Sequence, residues 1–339
     1  MRRFYKSYIF YEISLSDDKY SINFIHYLKH SMINDAFGKT EVTLEEQGLR
    51  DGLQTLPMTI PTEQKLRWID QLVAAGLKRL QVASFVHPRI VPQMADADEL
   101  CRRLTRKKNI IYSALVINLR GVERALACGM NHLAISLSAS DTHSQKNARM
   151  TLEEARISFR EMVRLARAQG ITVRGGIQCA FGCRYEGHIP PARVLDLVKH
   201  HLDADVEELA LADSTGMGNP AALQELMAQV LELAGDRPVA LHLHNTENKG
   251  LANVYAALQA GVRHFDTAFG GLGGCPFIKS ATGNIATEDT AHLLHQMGFA
   301  TGIDMEQVAQ VSLEMEATLG APLPGMLYRL LQEKGVKMV

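Results

Sequence analysis

Val239-Ala240-Leu241-His242-Leu243-His244 is a short apolar run that turns polar at its end, and Arg263-His264-Phe265-Asp266-Thr267-Ala268 repeats the pattern. Between them, residues 248–260 carry apolar side chains at helical spacing and stop at Gly261. A strand, an amphipathic helix and a second strand make one βα unit of a parallel sheet, because a parallel neighbour is reached only through a crossover of this kind.

The same unit recurs along the chain. Strands are expected at 42–46, 79–85, 110–116, 132–137, 171–178, 207–212, 239–244 and 263–268, with helices following, for instance at 62–75, 152–168, 220–233 and 248–260. Gly76, Gly129, Gly170 and Gly261 mark helix ends, where a left-handed cap carries no Cβ penalty. No glycine-rich dinucleotide turn follows the first strand, so eight units favour a closed barrel over an open doubly wound sheet. The expected class is α/β, a (β/α)8 TIM barrel over 41–302. Additional C-terminal helices near 305–319 and 324–334, within 303–339, would cover the barrel or an oligomer surface.

Composition narrows the function. Lysine plus arginine (36) nearly balances aspartate plus glutamate (37), so no bulk field favours nucleic acid or an anionic membrane. No run of eighteen apolar residues occurs, and a soluble cytoplasmic protein acting on a small polar molecule is expected. Five scattered cysteines (Cys101, Cys128, Cys179, Cys183, Cys275) are not a disulfide framework and point to a reducing compartment. Cys179 and Cys183 have no second pair at zinc spacing and are read as reduced thiols.

The first thirty-five residues lack alanine yet hold Tyr5, Tyr8, Tyr11, Tyr20 and Tyr27, five of the nine tyrosines. Residues 1–40 are accordingly read as an N-terminal extension outside the fold. It lacks the continuous apolar core expected of a signal peptide, and a mitochondrial presequence would be richer in arginine and poorer in acids such as Glu12, Asp17 and Asp18. A translated upstream stretch with the natural start at Met32 is the leading explanation, and a tyrosine-rich docking arm the other.

In a barrel the catalytic groups stand at the carboxyl ends of the strands. Four clusters fall there: Arg50-Asp51-Gly52, Asp213-Ser214-Thr215, His242-x-His244 and Gly270-Gly271-Leu272-Gly273-Gly274-Cys275. Residues two apart on a strand share a face, so His242 and His244 can present both imidazoles to one ion. The spacing alone fits two satisfied polar side chains equally well. Asp51 and Asn284 add oxygen ligands at the same rim, and two nitrogens, two oxygens and open positions describe an octahedral Mg2+ or Mn2+ site better than closed zinc. Arg50 is either a surface ion pair or a guanidinium that stabilises a carbonyl becoming an enolate. Cys275, flanked by Gly273, Gly274 and Pro276, is read as a lid thiol that protonates a carbanion rather than as a packed core thiol.

Taken together, Gly48-Leu49-Arg50-Asp51-Gly52-Leu53-Gln54, Ser84-Phe85-Val86-x-Pro88, Gly182-Cys183-x-Tyr185-Glu186-Gly187 and Gly271-Leu272-Gly273-Gly274-Cys275-Pro276-Phe277 resemble the hydroxymethylglutaryl-CoA lyase family of the DRE-TIM metallolyases. The match continues through Ser280 to Asp289 and spans Glu41 to about Gly320. The resemblance implies cleavage of a 3-hydroxy-3-methylglutaryl-CoA-like substrate to acetyl-CoA and a 3-keto acid such as acetoacetate, a step of leucine degradation and ketone-body formation. It implies a divalent ion, Mg2+ or Mn2+, held by Asp51, His242, His244 and Asn284. Further implied are Arg50 on the thioester carbonyl, Cys275 as proton donor, His242 assisting, Asp213 near the substrate and Glu288 supporting the loop. The partner would be an acyl-CoA, and the protein a homodimer or higher homo-oligomer.

Gln81 and Asn245 stand where the family commonly has glutamate and aspartate, and Ile278-Lys279 where it has small or neutral residues. Losing two carboxylates should weaken ion binding and alter the substrate. An acyl-CoA condensing enzyme of the isopropylmalate or homocitrate synthase type is the alternative chemistry. A catalytically silent barrel with a structural or regulatory role is the alternative outside catalysis.

Overall fold

The computed structural model describes residues 41–274 and 283–332. The N-terminal extension, with its Met32 start, lies outside them, as do Cys275 and Ile278-Lys279.

Eight parallel strands close in sequence order: β1 Thr43–Glu46, β2 Arg79–Ser84, β3 Ile111–Val116, β4 His132–Ser138, β5 Thr172–Gln178, β6 Glu208–Asp213, β7 Val239–Leu243 and β8 His264–Thr267. β1 and β8 pair from Thr43 opposite His264 to Glu46 opposite Thr267, which closes the (β/α)8 TIM barrel. The apolar strand residues and the inner faces of the helices form one continuous core, in which Trp68, Phe85, Phe159, Phe265 and Phe269 are fully buried.

The helices are α1 Thr62–Ala74, α2 Ala97–Arg103, α3 Leu119–Ala127, α4 Asp141–Ala148, α5 Leu152–Ala168, α6 Pro191–Asp203, α7 Pro220–Ala234, α8 Gly250–Ala260, α9 Thr287–Gln296, α10 Met305–Leu319 and α11 Leu327–Gln332. Their ends follow local chemistry. Thr151 and Glu154 form a capping box on α5, and Asn118 and Asn219 accept from the third backbone N–H beyond them at the starts of α3 and α7. The expected end glycines all adopt positive φ (Gly76 98°, Gly129 72°, Gly170 71°, Gly261 105°). α10 packs on the barrel through Glu314, whose carboxylate accepts from Trp68 Nε1 (3.0 Å) and Gln71 Nε2 (2.9 Å) on α1. None of the helices of the described residues is long and apolar enough to cross a membrane.

Two departures from the sequence expectation matter for the site. Residues 48–52 wind into a one-turn π-helix, Gly48–Gly52, directly after β1. Residues 141–148, for which the sequence suggested no bounds, form α4, which brings His143 and Asn147 over the barrel mouth.

Candidate active site

The π-turn is held from below by Glu46. Its buried carboxylate accepts from Gly48 N (2.6 Å), Phe269 N (3.0 Å) and Thr287 Oγ1 (2.7 Å), joining the end of β1, the start of the loop after β8 and the first turn of α9. Burial pushes this carboxyl up to about 7 despite those donors. Only glycine fits at 48, since a Cβ there would stand 2.6 Å from the Phe269 ring and 2.7 Å from Glu46 Oε1. The turn sends Arg50 and Asp51 into the barrel mouth, both nearly buried.

Asp51, His242 and His244 present ligand atoms that all lie within 4.8 Å of one another. His242 Nε2 and His244 Nε2 are 3.1 Å apart, and Asp51 Oδ2 stands 3.9 and 3.7 Å from them. Asn284 arrives on segment 283–286, which lies across the ends of β7 and β8 through bridges His244–Asn284 and Ala268–Ala286. Its Nδ2 donates to Asp51 Oδ2 (2.9 Å) and to Leu272 O (2.9 Å), leaving Oδ1 buried without a protein partner. A Cβ on Gly273, where φ is +127°, would come 2.6 Å from that Nδ2 and 3.3 Å from Asp51 Oδ2.

This donor set fits a divalent cation. Cis ligands of an octahedral ion at about 2.1 Å stand about 3 Å apart, close to the separation of the two imidazole nitrogens. The two nitrogens and the carboxylate suit Mg2+, Mn2+ or similar ions, and Asn284, whose Oδ1 is buried without a partner among the described residues, stands next to Asp51.

Arg50 is fixed on three sides. Nη1 donates to Asp51 Oδ1 (2.5 Å), Nη2 to Gln47 Oε1 (3.0 Å) and Nε to Gln81 Oε1. Burial pushes the Asp51 carboxyl up, but Arg50 and the two imidazoles outweigh it and hold the group well below the usual carboxylate range. Asp51 is therefore ionised at any working pH.

The cavity here, about 170 Å³, is lined by Arg50, Asp51, Gln81, His242, His244 and Asp266 among others. Asp213 and Glu288, expected among the catalytic residues, are not in that lining. Asp213 Oδ2 accepts from Gly218 N (2.9 Å), its Oδ1 is buried without a protein partner, and burial raises its pKa. Glu288 accepts from Gly270 N (3.0 Å) and from Ser312 Oγ (2.7 Å), so it secures the root of the cysteine loop. Burial pushes it up to about 8. Asn245 likewise points elsewhere: its Oδ1 accepts from Gly250 N (2.9 Å) at the start of α8. The expectation that both departures strip charge from the ion is corrected at this position, where the side chain serves a helix terminus. At position 81 a neutral amide oxygen carries out the anchoring of Arg50. Cys179 and Cys183 are buried free thiols, Cys183 Sγ donating to Ser140 Oγ (3.0 Å), and neither falls in a metal-capable cluster among the described residues.

Sequence reasoning missed a second layer. Asp266 lies opposite His242 in the β7–β8 register, with Oδ2 3.2 Å from His242 Nδ1. Arg174 Nη2 donates to Asp266 Oδ1 (2.8 Å), and Arg174 Nη1 lies 3.0 Å from Glu45 Oε2. Arg79 bridges Glu45 and Glu208 at 2.7 and 2.6 Å. A signal existed: Glu45, Arg174 and Asp266 are charges inside otherwise apolar strands, which a filled barrel tolerates only when they meet.

Comparison with known proteins agrees with this geometry. The HMGL-like family model matches residues 41–314. The (R)-citramalyl-CoA lyase of Chloroflexus aurantiacus is 40% identical over 296 residues, 84% of this chain and 93% of that protein. The hydroxymethylglutaryl-CoA lyase YngG of Bacillus subtilis is 38% identical, covering 84% of this chain and 95% of its own. Among solved structures, an HMG-CoA lyase from A. baumannii in complex with coenzyme A and 3-methylmalate superposes with a TM-score of 0.84 at 38% identity, over 88% of this chain and 98% of that one. With the barrel, the Arg-Asp turn and the paired histidines in register, the chain belongs to the HMGL-like family of carbon–carbon lyases.

Proposed function

We propose that this chain is a divalent-metal-dependent lyase that cleaves a 3-hydroxy-3-methylglutaryl-CoA-like thioester to acetyl-CoA and a keto acid. The observation that carries it is the convergence of Asp51, His242, His244 and the unpartnered Asn284 Oδ1 beside an anchored guanidinium. Asp51, His242, His244 and Asn284 would hold Mg2+ or Mn2+, which would supply Lewis-acid polarisation to the substrate.

The residues themselves account for the rest. As the C3 hydroxyl gives its proton to solvent water, the C3–O bond becomes a carbonyl, the C2–C3 electron pair moves to C2 and negative charge grows on the thioester oxygen. Arg50, held by Gln47, Asp51 and Gln81, is already oriented to donate there and needs no reorganisation when the charge appears. Cys275 supplies the proton that turns the enolate carbon into a methyl group. Asp213 would steady the loop after β6 through Gly218 N, and Glu288 would hold Gly270 so that the loop bearing the thiol starts from a fixed point.

Two substrates call for direct trial, since relatives carry the names of both a hydroxymethylglutaryl-CoA and an (R)-citramalyl-CoA lyase. Incubation of each thioester with protein and Mn2+, followed by mass spectrometry, should reveal acetyl-CoA together with acetoacetate or pyruvate. Absence of acetyl-CoA from both would refute the reading. Cys275→Ala should lose most turnover and keep substrate affinity; full activity in that variant would remove the thiol from the scheme.

A further inference from the structure

The two imidazoles of the mouth are held differently on their far sides. His242 Nδ1 faces Asp266 Oδ2 at 3.2 Å, whereas His244 Nδ1 is buried without a hydrogen-bond partner among the described residues. Asp266 cannot swing away. Its second oxygen is taken by Arg174 at 2.8 Å, and Arg174 is itself pinned by Glu45, which also receives Arg79. Glu45, Arg174 and Asp266 are all buried. Paired with the Arg174 guanidinium at 2.8 Å, Asp266 stands there as a carboxylate. An ionised carboxylate only accepts. The proton of a neutral His242 must then sit on Nδ1, and the Nε2 lone pair must point toward His244 Nε2 and Asp51.

We infer that Asp266, clamped by Arg174, is a positioning residue that fixes His242 in its Nδ1–H tautomer and so makes it the preset ligand, while His244 takes its ligating tautomer only when an ion arrives. This rests on the metal site proposed above. It assigns the barrel's inner charge network a task in addition to filling the lumen: the network orients a lone pair through the β7–β8 register.

The test uses the full chain labelled with 15N at histidine. In the chelator-treated protein His242 should show a protonated Nδ1 and a bare Nε2, and His244 a protonated Nε2, the hydrogen that its 3.1 Å contact with the bare His242 Nε2 requires; with Mg2+ both should show a protonated Nδ1 and an Nε2 without hydrogen. Asp266→Asn, whose amide can donate to Nδ1, should shift the proton to Nε2 and weaken Mn2+ binding about 10–100-fold by calorimetry. Asp266→Ala, which imposes no opposite tautomer, should weaken it less. A His242 protonated on Nε2 in the chelated wild type, or a folded Asp266→Asn with wild-type Mn2+ affinity, overturns the inference. Wild-type protein that binds no Mn2+ at millimolar concentration defeats the metal site instead, and the tautomer spectrum still decides whether Asp266 orients His242. If Asp266→Asn does not fold, the wild-type spectrum is sufficient: a protonated Nδ1 on His242 upholds the inference and a protonated Nε2 overturns it.

Discussion

Among the described residues two clusters of three groups could hold a metal ion, Asp51-His242-His244 at the mouth and Glu45-His264-Asp266 deeper in the lumen, and both mix imidazole with carboxylate. What separates them is the cation already present. In the deeper cluster Arg174 reaches both Glu45 and Asp266, and Arg79 takes Glu45 and Glu208, so three carboxylates face two guanidiniums that occupy the space an ion would need. At the mouth Arg50 takes the outer oxygen of Asp51, and the inner oxygen still faces two imidazole nitrogens. Donor lists alone do not identify a metal site; the direction of the nearest guanidinium does.

Four substitutions would break or sharpen this contrast. Asp51→Ala removes the anionic ligand and should abolish Mn2+ binding by calorimetry, with acetyl-CoA release falling about 1000-fold or more. Unchanged affinity would mean the two clusters had been assigned the wrong way round. Arg174→Met strikes the deeper cluster. It leaves Glu45 and Asp266 without their shared partner and should cost about 3–5 kcal/mol in urea unfolding. Both carboxyls sit below their ordinary values because of Arg174, after opposition from burial. Their contribution is therefore present above pH ~4, the unfolded value, and disappears as pH falls through the depressed folded values. The variant should lose that acid-side slope, and a wild-type slope would contradict the charge accounting.

Smaller effects are expected where one charge is added. Gln81→Glu places a carboxylate on the Arg50 Nε side of the cavity and should tighten Mn2+ about three- to tenfold. Loosened binding would show that Arg50, not the ion, senses that position. Asn245→Asp should leave Mn2+ affinity unchanged and stabilise the start of α8 by about 0.3–1 kcal/mol, because the side chain already caps Gly250 N. A marked gain in affinity there would place residue 245 back within reach of the ion.

Much of the fold was legible because it follows two periods. Alternate apolar runs marked the strands to within a residue or two at each end, and α5 and α10 match their expected bounds, since caps and end glycines mark helix limits locally. The turn at 48–52 was not readable. Its π-geometry depends on Glu46 holding Gly48 N and on the Phe269 ring, contacts more than two hundred residues away for the latter. The bounds of α4 were not legible either, because Asp141-Thr142-His143-Ser144-Gln145-Lys146-Asn147-Ala148 has almost no apolar stripe. The sequence reading picked out Arg50, Asp51, His242, His244 and Asn284, which the fold brings together, because polar residues closing apolar strands are conspicuous. Asp266 and Arg174 escaped notice, since a charge inside a strand reveals its purpose only when register supplies the partner.

The tie made by Glu46 and the span from Asp51 to Asn284 bear on synthesis of the protein. One proposed ligand comes from the first strand-to-helix unit, and another from a segment beyond the last strand, 233 positions later. A chain emerging from the ribosome therefore has no competent ion site until nearly the whole sequence is available. With the proposed ligands, a half-made barrel would lack the full donor set, and ion affinity would report that the ring of strands has sealed.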